Sequence, residues 1–386
     1  MNRLFVLFLI IALPAMLTSC TPEAMQLTVE NPSDFDRSYE MVEIPVEDVQ
    51  AKVALTGNEV YVVKDATGAV VPSQITHDGK LIFQSQLKPN ETRTFTIQPG
   101  EIQAFEPKTF GRYIHERKED FAWENDRVAF RIYGQALIPI DGPSNGLDVW
   151  YKRTNKLVLE KWYKNDLEGV ASYHNDSGEG LDDYKVGRSL GAGAMAPYVN
   201  DKLWLNENYV SYEALESGPL RTTFKLTYKD IEVDGKTYAE TRAFSLDAGS
   251  QLTKVIQEYR GLQEAIPVAS GVVKREQDSV IVSQGNDYII YVEPFSEVVD
   301  NVYLGVVFPD KFERSATDTY TITHDGQKKD DVYSHVLLVT TYQPDKPVTY
   351  YTGYGWSKYG FSSLTDFQQY INHFTQALKQ PFILNY

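Results

Sequence analysis

Apolar and polar residues alternate along most of this 386-residue chain in runs of six to nine, as in Glu59–Lys64, Thr222–Tyr228 and Ser334–Tyr342. A period of two puts one face of an extended strand on a core and the other toward solvent. The pairs Asp78-Gly79, Asp234-Gly235 and Asp325-Gly326 separate such runs, and Asp-Gly supplies the left-handed backbone that tight hairpins need. Away from the two ends no long run has helical period, so the sequence predicts a mainly β, antiparallel fold. This many short strands stack as sheets more readily than they close one barrel. Composition changes over 100–107, after a strand-rich segment ending in Thr94–Pro99, and divides the chain into a small β-sandwich region, 20–100, and a large β domain, 101–386.

The ends carry different signals. Arg3 precedes fourteen uncharged residues, Leu4 to Leu17, too short for a bilayer span and suited to the apolar core of a signal peptide over 1–19. Leu17-Thr-Ser-Cys20 follows, a branched apolar residue and two small ones before cysteine, which resembles the lipobox of bacterial lipoproteins. Cys20 is the expected site of lipidation, and the protein is then tethered to a membrane by acyl chains, at the periplasmic or the outer surface. Cys20 is the only cysteine, which leaves no intramolecular disulfide and no thiol nucleophile. At the other end, Leu364, Phe367, Tyr370, Ile371, Phe374 and Leu378 recur at helical spacing, with Ser362 and Ser363 as start signals and Pro381 as a stop. His373 lies off that stripe and is expected to face solvent.

A net charge of −16 argues against nucleic acid as a partner, because phosphate neutralisation needs a basic excess. The charge is uneven, however: residues 107–164 hold eleven Lys/Arg against eight Asp/Glu, a local excess that suits an acidic ligand. Arg127 and Arg131 lie there, and either can instead pair with Glu124 or Asp126 along a strand. A second polar run, Tyr173–Gly193, has glycines at 178, 180, 187, 191 and 193, and long ordered loops of this kind are commonly functional. Of the six histidines, His77 and His324 fall in Thr-His-Asp-Gly turns, His335 starts an apolar strand and His373 is on the terminal helix, which leaves His115 and His174 in polar, aromatic surroundings. Histidine changes charge near neutrality and is the first candidate for proton transfer.

Phosphate loops and the His-Glu-x-x-His metalloprotease pattern are absent. Gly187-Arg-Ser-Leu-Gly191 matches a nucleophile elbow by letter, but a polar stretch precedes it where a buried strand should. Asn175, Asp176, Glu179, Asp182 and Asp183 bring oxygen ligands into one loop, without the register of an EF-hand, so a divalent cation such as calcium is an alternative and no other cofactor is expected.

Four segments, Asp120–Gly134, Gly146–Lys152, Tyr173–Gly187 and Tyr354-Gly-Trp356, carry a resemblance to a family of lipoproteins catalogued as a domain of unknown function and found in polysaccharide-utilisation gene clusters of Bacteroidota. The resemblance implies a supersandwich like that of galactose mutarotase. It also implies a lyase or dehydratase, since a similar protein acts as an oligosaccharide dehydratase on ulvan, a sulfated polymer of rhamnose and uronic acid. Elimination across carbons 4 and 5 of a uronate needs a cation on the carboxylate, a base for the carbon-5 proton and an acid for the leaving oxygen. The residues offer His174 as base, Tyr184 or Tyr173 as acid, and Arg127 or Arg188 for the carboxylate. Trp123 and Trp150 are candidate sugar platforms, and Glu124, Asn125, Arg131, Glu179 and Lys185 are candidate substrate contacts. Two other functions remain open: a glycoside hydrolase using Glu124 and Glu179, and a non-catalytic glycan-binding lipoprotein.

Overall fold

The computed structural model describes residues 24–275, 279–283, 285–323 and 331–386. The signal segment, Cys20, His324 and the Asp325-Gly326 turn lie outside the described residues. The fold is mainly β, built of stacked antiparallel sheets with a C-terminal helix. The alternating runs form strands Val60–Asp65, Arg221–Thr227 and Asp331–Tyr342. Asp234 and Gly235, both at positive φ, close a two-residue hairpin between Val233 and Lys236.

A small sandwich comes first. Met25–Glu30, Thr92–Gly100, Val60–Asp65 and Val70–Val71 pair in one sheet, faced by a three-stranded sheet of Arg37–Pro45, Lys80–Leu87 and Ser73–Ile75. The chain end returns to it: Ile383–Asn385 pairs antiparallel with Glu30–Thr28. Leu27, Val29, Ile44, Phe83 and Ile97 form its own apolar core.

The larger body has three sheets around one continuous core. A nine-stranded sheet contains Arg221–Thr227, Lys236–Asp247, Leu252–Arg260 and Val348–Trp356, and a five-stranded sheet contains Ala192–Val199, Ile266–Val273 and Asp331–Tyr342. The third sheet runs Gly180–Leu181, Asp148–Lys152, Ala129–Ile132, Asp120–Asn125, Thr109–Ile114 in spatial order. Alternation gives this third sheet two different faces. Phe121, Trp123, Phe130, Ile132, Val149 and Tyr151 enter the main core. Asp120, Glu124, Arg131, Asp148 and Lys152 leave on the opposite face and are nevertheless buried.

Helix Leu159–Leu167 covers that second face, burying Leu159, Trp162 and Tyr163. Its apolar spacing spans little more than one turn, too short to stand out among strands in the sequence. Buried Glu124 starts it: one carboxylate oxygen accepts from the N–H groups of Val158 and Leu159 at 2.7 Å each, and the other binds Lys152 Nζ at 2.5 Å. The C-terminal helix spans Leu364–Lys379, where Ser363 caps Asp366 N–H and the Asp366 side chain caps Ser363 N–H in return. His373 is half-buried rather than solvent-facing, because its ring stacks 4.1 Å from Phe35 of the small sandwich.

Lys152 and Glu124 are both fully buried, so removing one strands the other's charge. Lys152→Met is expected to cost about 3–5 kcal/mol of stability by denaturant unfolding. The double variant with Glu124→Gln should recover part of that loss.

Candidate active site

The second face of the third sheet ends in a cluster of charges. Arg131 lies opposite Asp148 in the strand register and is almost wholly buried. Its Nη2 sits 2.5 Å from Asp148 Oδ2 and 2.8 Å from Asp182 Oδ2, and donates to the Tyr133 hydroxyl at 3.1 Å. The guanidinium carbon lies 4.7 Å from the Tyr133 ring centre and 4.8 Å from that of Trp150. Arg131 Nε and Nη1 and Asp148 Oδ1 are buried without a partner among the described residues. Trp150 Nε1 donates to Asp148 Oδ2 at 3.1 Å. Burial nonetheless pushes the Asp148 carboxyl up to about 7, with the Asp182 charge adding to the rise and Arg131 opposing it.

Asp182 carries the next link. The His174 Nδ1 lies 2.9 Å from the Asp182 backbone oxygen and 3.6 Å from its carboxylate. A carbonyl only accepts, so Nδ1 is the donor, and in the neutral ring the lone pair is then on Nε2, on a side chain that is 60% exposed. Tyr173, beside it, stacks on Trp150 at 4.6 Å and accepts from Arg117 Nε at 3.2 Å. Arg117 in turn pairs with Asp120 at 3.1 Å, whose carboxyl burial pushes upward. An exposed imidazole, a tyrosine hydroxyl on an arginine and a buried guanidinium are thus linked through Asp182 and Trp150 on one face of the sheet.

Residues 29–383 match a family described as Domain of unknown function (DUF4861). The chain belongs to this family. A protein of Formosa agariphila called "Uncharacterized protein P7" is 27% identical over 394 residues, covering 96% of each chain. Among solved structures, an alpha-mannosidase from Enterococcus faecalis V583 is similar with a TM-score of 0.47 at 11% identity, over 94% of this chain and 46% of that one. A glycosyl hydrolase family 38 protein from Enterococcus faecalis gives 0.49 at 11% identity, over 94% and 47%. The chain spans about half the length of those two structures.

In this DUF4861 chain the sequence candidates scatter. His174, Tyr173, Arg131 and Trp150 come together. Trp150 is fully buried between Tyr173, Trp162 and Arg131, and so offers no open face for a sugar. Trp123 is equally closed, stacked on Phe130 and donating to Thr253 Oγ1 at 3.2 Å in the main core. Tyr184 is buried elsewhere, under the Arg275 guanidinium. Arg127 points toward Asp126 and Tyr39 of the small sandwich, and Arg188 donates to the carbonyls of Leu205 and Asn206. Asn125 shapes a turn by accepting from Arg127 N–H and Val128 N–H. Glu124 is committed to Lys152 and the helix start.

Glu179 pairs with Lys161 at 2.6 Å, and Lys185 is exposed beyond Asp183. Ser189 is buried and donates to the Val186 carbonyl, which suits a turn and not a nucleophile. The loop carboxylates do not converge on a cation: Asp176 binds Arg153 and two loop N–H groups, Glu179 binds Lys161, and Asp182 binds Arg131. Among the described residues no group of three or more His, Cys, Asp or Glu is placed to hold a metal. The positive excess of 107–164 is likewise taken up within the chain, by carboxylates just beyond that stretch: Asp182 binds Arg131, Asp176 binds Arg153 and Glu179 binds Lys161. Gly180 is required where the loop joins the sheet, since at its φ of 125° a Cβ would meet the Tyr151 carbonyl oxygen at 1.9 Å.

Sequence reasoning missed Arg117, Tyr133 and Asp148 as site residues, and read Asp182 as a possible cation ligand rather than as a partner of Arg131. A signal existed in Asp148-Val-Trp-Tyr-Lys152: charges at both ends of an apolar strand, on the face of Trp150, demand buried partners. The Asp148 proton is held to higher pH in the folded chain than in the unfolded one. Its stabilisation is therefore fully present below about pH 4 and lost as pH rises through about 7. Asp148→Asn should remove that decline, worth on the order of 1 kcal/mol per pH unit, from denaturant midpoints measured between pH 4 and 7. Parallel profiles for the two proteins would show that Asp148 does not titrate there.

Proposed function

We propose that this DUF4861 protein is a carbohydrate-active lyase or dehydratase that eliminates water or an alcohol from a uronate-containing, ulvan-like oligosaccharide. The observation that carries the reading is His174, whose Nδ1 is anchored on Asp182 beside a buried Arg131 with two unfilled donors. His174 Nε2 takes the proton from carbon 5. Arg131, closed behind the rings of Tyr133 and Trp150, does not touch the substrate; its buried positive charge stabilises the negative charge that develops as that proton leaves. The departing oxygen on carbon 4 takes a proton from the Tyr133 hydroxyl, which lies 3.1 Å from Arg131 Nη2, and the carbon 4–carbon 5 double bond forms. Tyr133 takes the acid role in place of Tyr184, which is buried under Arg275, and of Tyr173, whose hydroxyl is held by Arg117. A hydrolase built on Glu124 and Glu179 is disfavoured, since both carboxylates are already bound to lysines.

The test is incubation with ulvan-derived and other uronate oligosaccharides, following absorbance of the new conjugated double bond. His174→Ala is expected to slow the rate by about 10²–10⁴-fold, and Tyr133→Phe by a comparable factor. No absorbance rise with unchanged product masses would defeat the proposal, and products gaining water would mark a hydrolase.

The lipobox-like Leu17–Cys20 supports placement of the enzyme on a bacterial membrane through lipid at Cys20. Cys20→Ala should then move the protein from the membrane fraction to the soluble one; unchanged fractionation would refute the anchor.

A further inference from the structure

A cavity of about 630 Å³ lies away from His174, between the small sandwich, the outer face of the nine-stranded sheet and the C-terminal helix. Its size and its place between domains suit a small-molecule site. Strand Leu252–Arg260 supplies the floor: Thr253, Val255 and Gln257 are buried on the core side, and Leu252, Lys254 and Ile256 line the cavity.

Charged side chains crowd this floor, and nearly all of the cations are committed. Arg221 binds Asp247 at 2.5 Å and Glu43 at 2.6 Å, Lys80 binds Glu43 at 2.8 Å and Asp78 at 3.3 Å, and Arg37 pairs with Glu40. Lys254 alone among the described lysines and arginines of the lining has no hydrogen-bond or ion-pair partner. Burial lowers its pKa, Glu43 and Asp247 oppose that, and Arg221 and Lys80 add to it; both carboxylates are paired with Arg221 and Lys80 and neither makes an ion pair with the Lys254 ammonium. Aromatic rings line the same space. Tyr351 is the direct cross-strand neighbour of Lys254 on the sheet face, and Tyr370 and Phe374 come from the helix; all three are half-buried.

We infer that this cavity is a second binding site, for an acidic saccharide whose carboxylate or sulfate pairs with Lys254 and whose ring lies against Tyr351 and Phe374. An anionic group supplies the direct ion-pair partner that Lys254 does not have within the chain, and the C–H face of a sugar suits the aromatic rings beside it. The inference rests on the proposed function only for the choice of a saccharide, and not on His174 chemistry.

The experiment is calorimetric titration of the full chain carrying His174→Ala, which removes the proposed base. The probes are a glucuronate-containing disaccharide, its neutral glucose counterpart and inorganic sulfate. The uronate disaccharide is expected to bind, and Lys254→Met to weaken one binding event by about tenfold or more. Ala377→Trp, which places an indole in the cavity from the helix, is expected to abolish the same event, and serves if Lys254→Met does not fold. With His174 intact, Lys254→Met is expected to leave turnover unchanged. The inference is overturned if neither variant alters binding, if the neutral disaccharide or sulfate alone binds as tightly, or if Lys254→Met abolishes turnover. Elimination activity that survives any of these binding results leaves the His174 reading standing, so the two can fail separately.

Discussion

The Arg131 guanidinium is the interaction on which the candidate site depends. A buried cation must be paired, and here two carboxylates from different parts of the chain, Asp148 and Asp182, meet on one nitrogen. Asp182 belongs to the glycine-rich loop, so the ion pair fixes that loop to the sheet and, through the Asp182 carbonyl, fixes His174. The rings of Tyr133 and Trp150 lie close to the guanidinium and restrict water around it. Orientation of an exposed imidazole by a buried charge is how a flexible loop acquires a reproducible geometry.

The same sheet must serve two cores at once. Trp123 and Phe130 point into the main core, and Glu124 and Arg131, their sequence neighbours, point out beneath helix Leu159–Leu167. Glu124 satisfies that helix start and Lys152 together, so the covering helix and the sheet are coupled through one carboxylate. A helix of nine residues would not persist alone; its buried Trp162 stacks on Trp150, and Tyr163 packs tilted against the same ring.

Much of this was legible in the chain. The two-residue period and the Asp-Gly turns identified the β class, and the Ser363 start and apolar stripe located the terminal helix to within a residue. The basic stretch 107–164 and the polar run 173–193 do contain Arg131 and His174. Individual roles were less legible, because alternation says that Trp123 and Trp150 share strands with charged residues but not that both faces of those strands are covered. Arg127 and Arg131 look equivalent in sequence, yet one faces the small sandwich and the other two buried aspartates.

What the sequence alone determined is local: strand period, turn chemistry, the helix cap, the lipobox-like segment and the residues rich enough in chemistry to form a site. These follow from neighbours a few positions apart. Only the tertiary structure decided which charges meet, since Arg131 and Asp182 are 51 residues apart, and Arg221 of the nine-stranded sheet pairs with Glu43 of the small sandwich. Pairing in a buried site is governed by distance and desolvation, and both are set by the packing of sheets rather than by order along the chain.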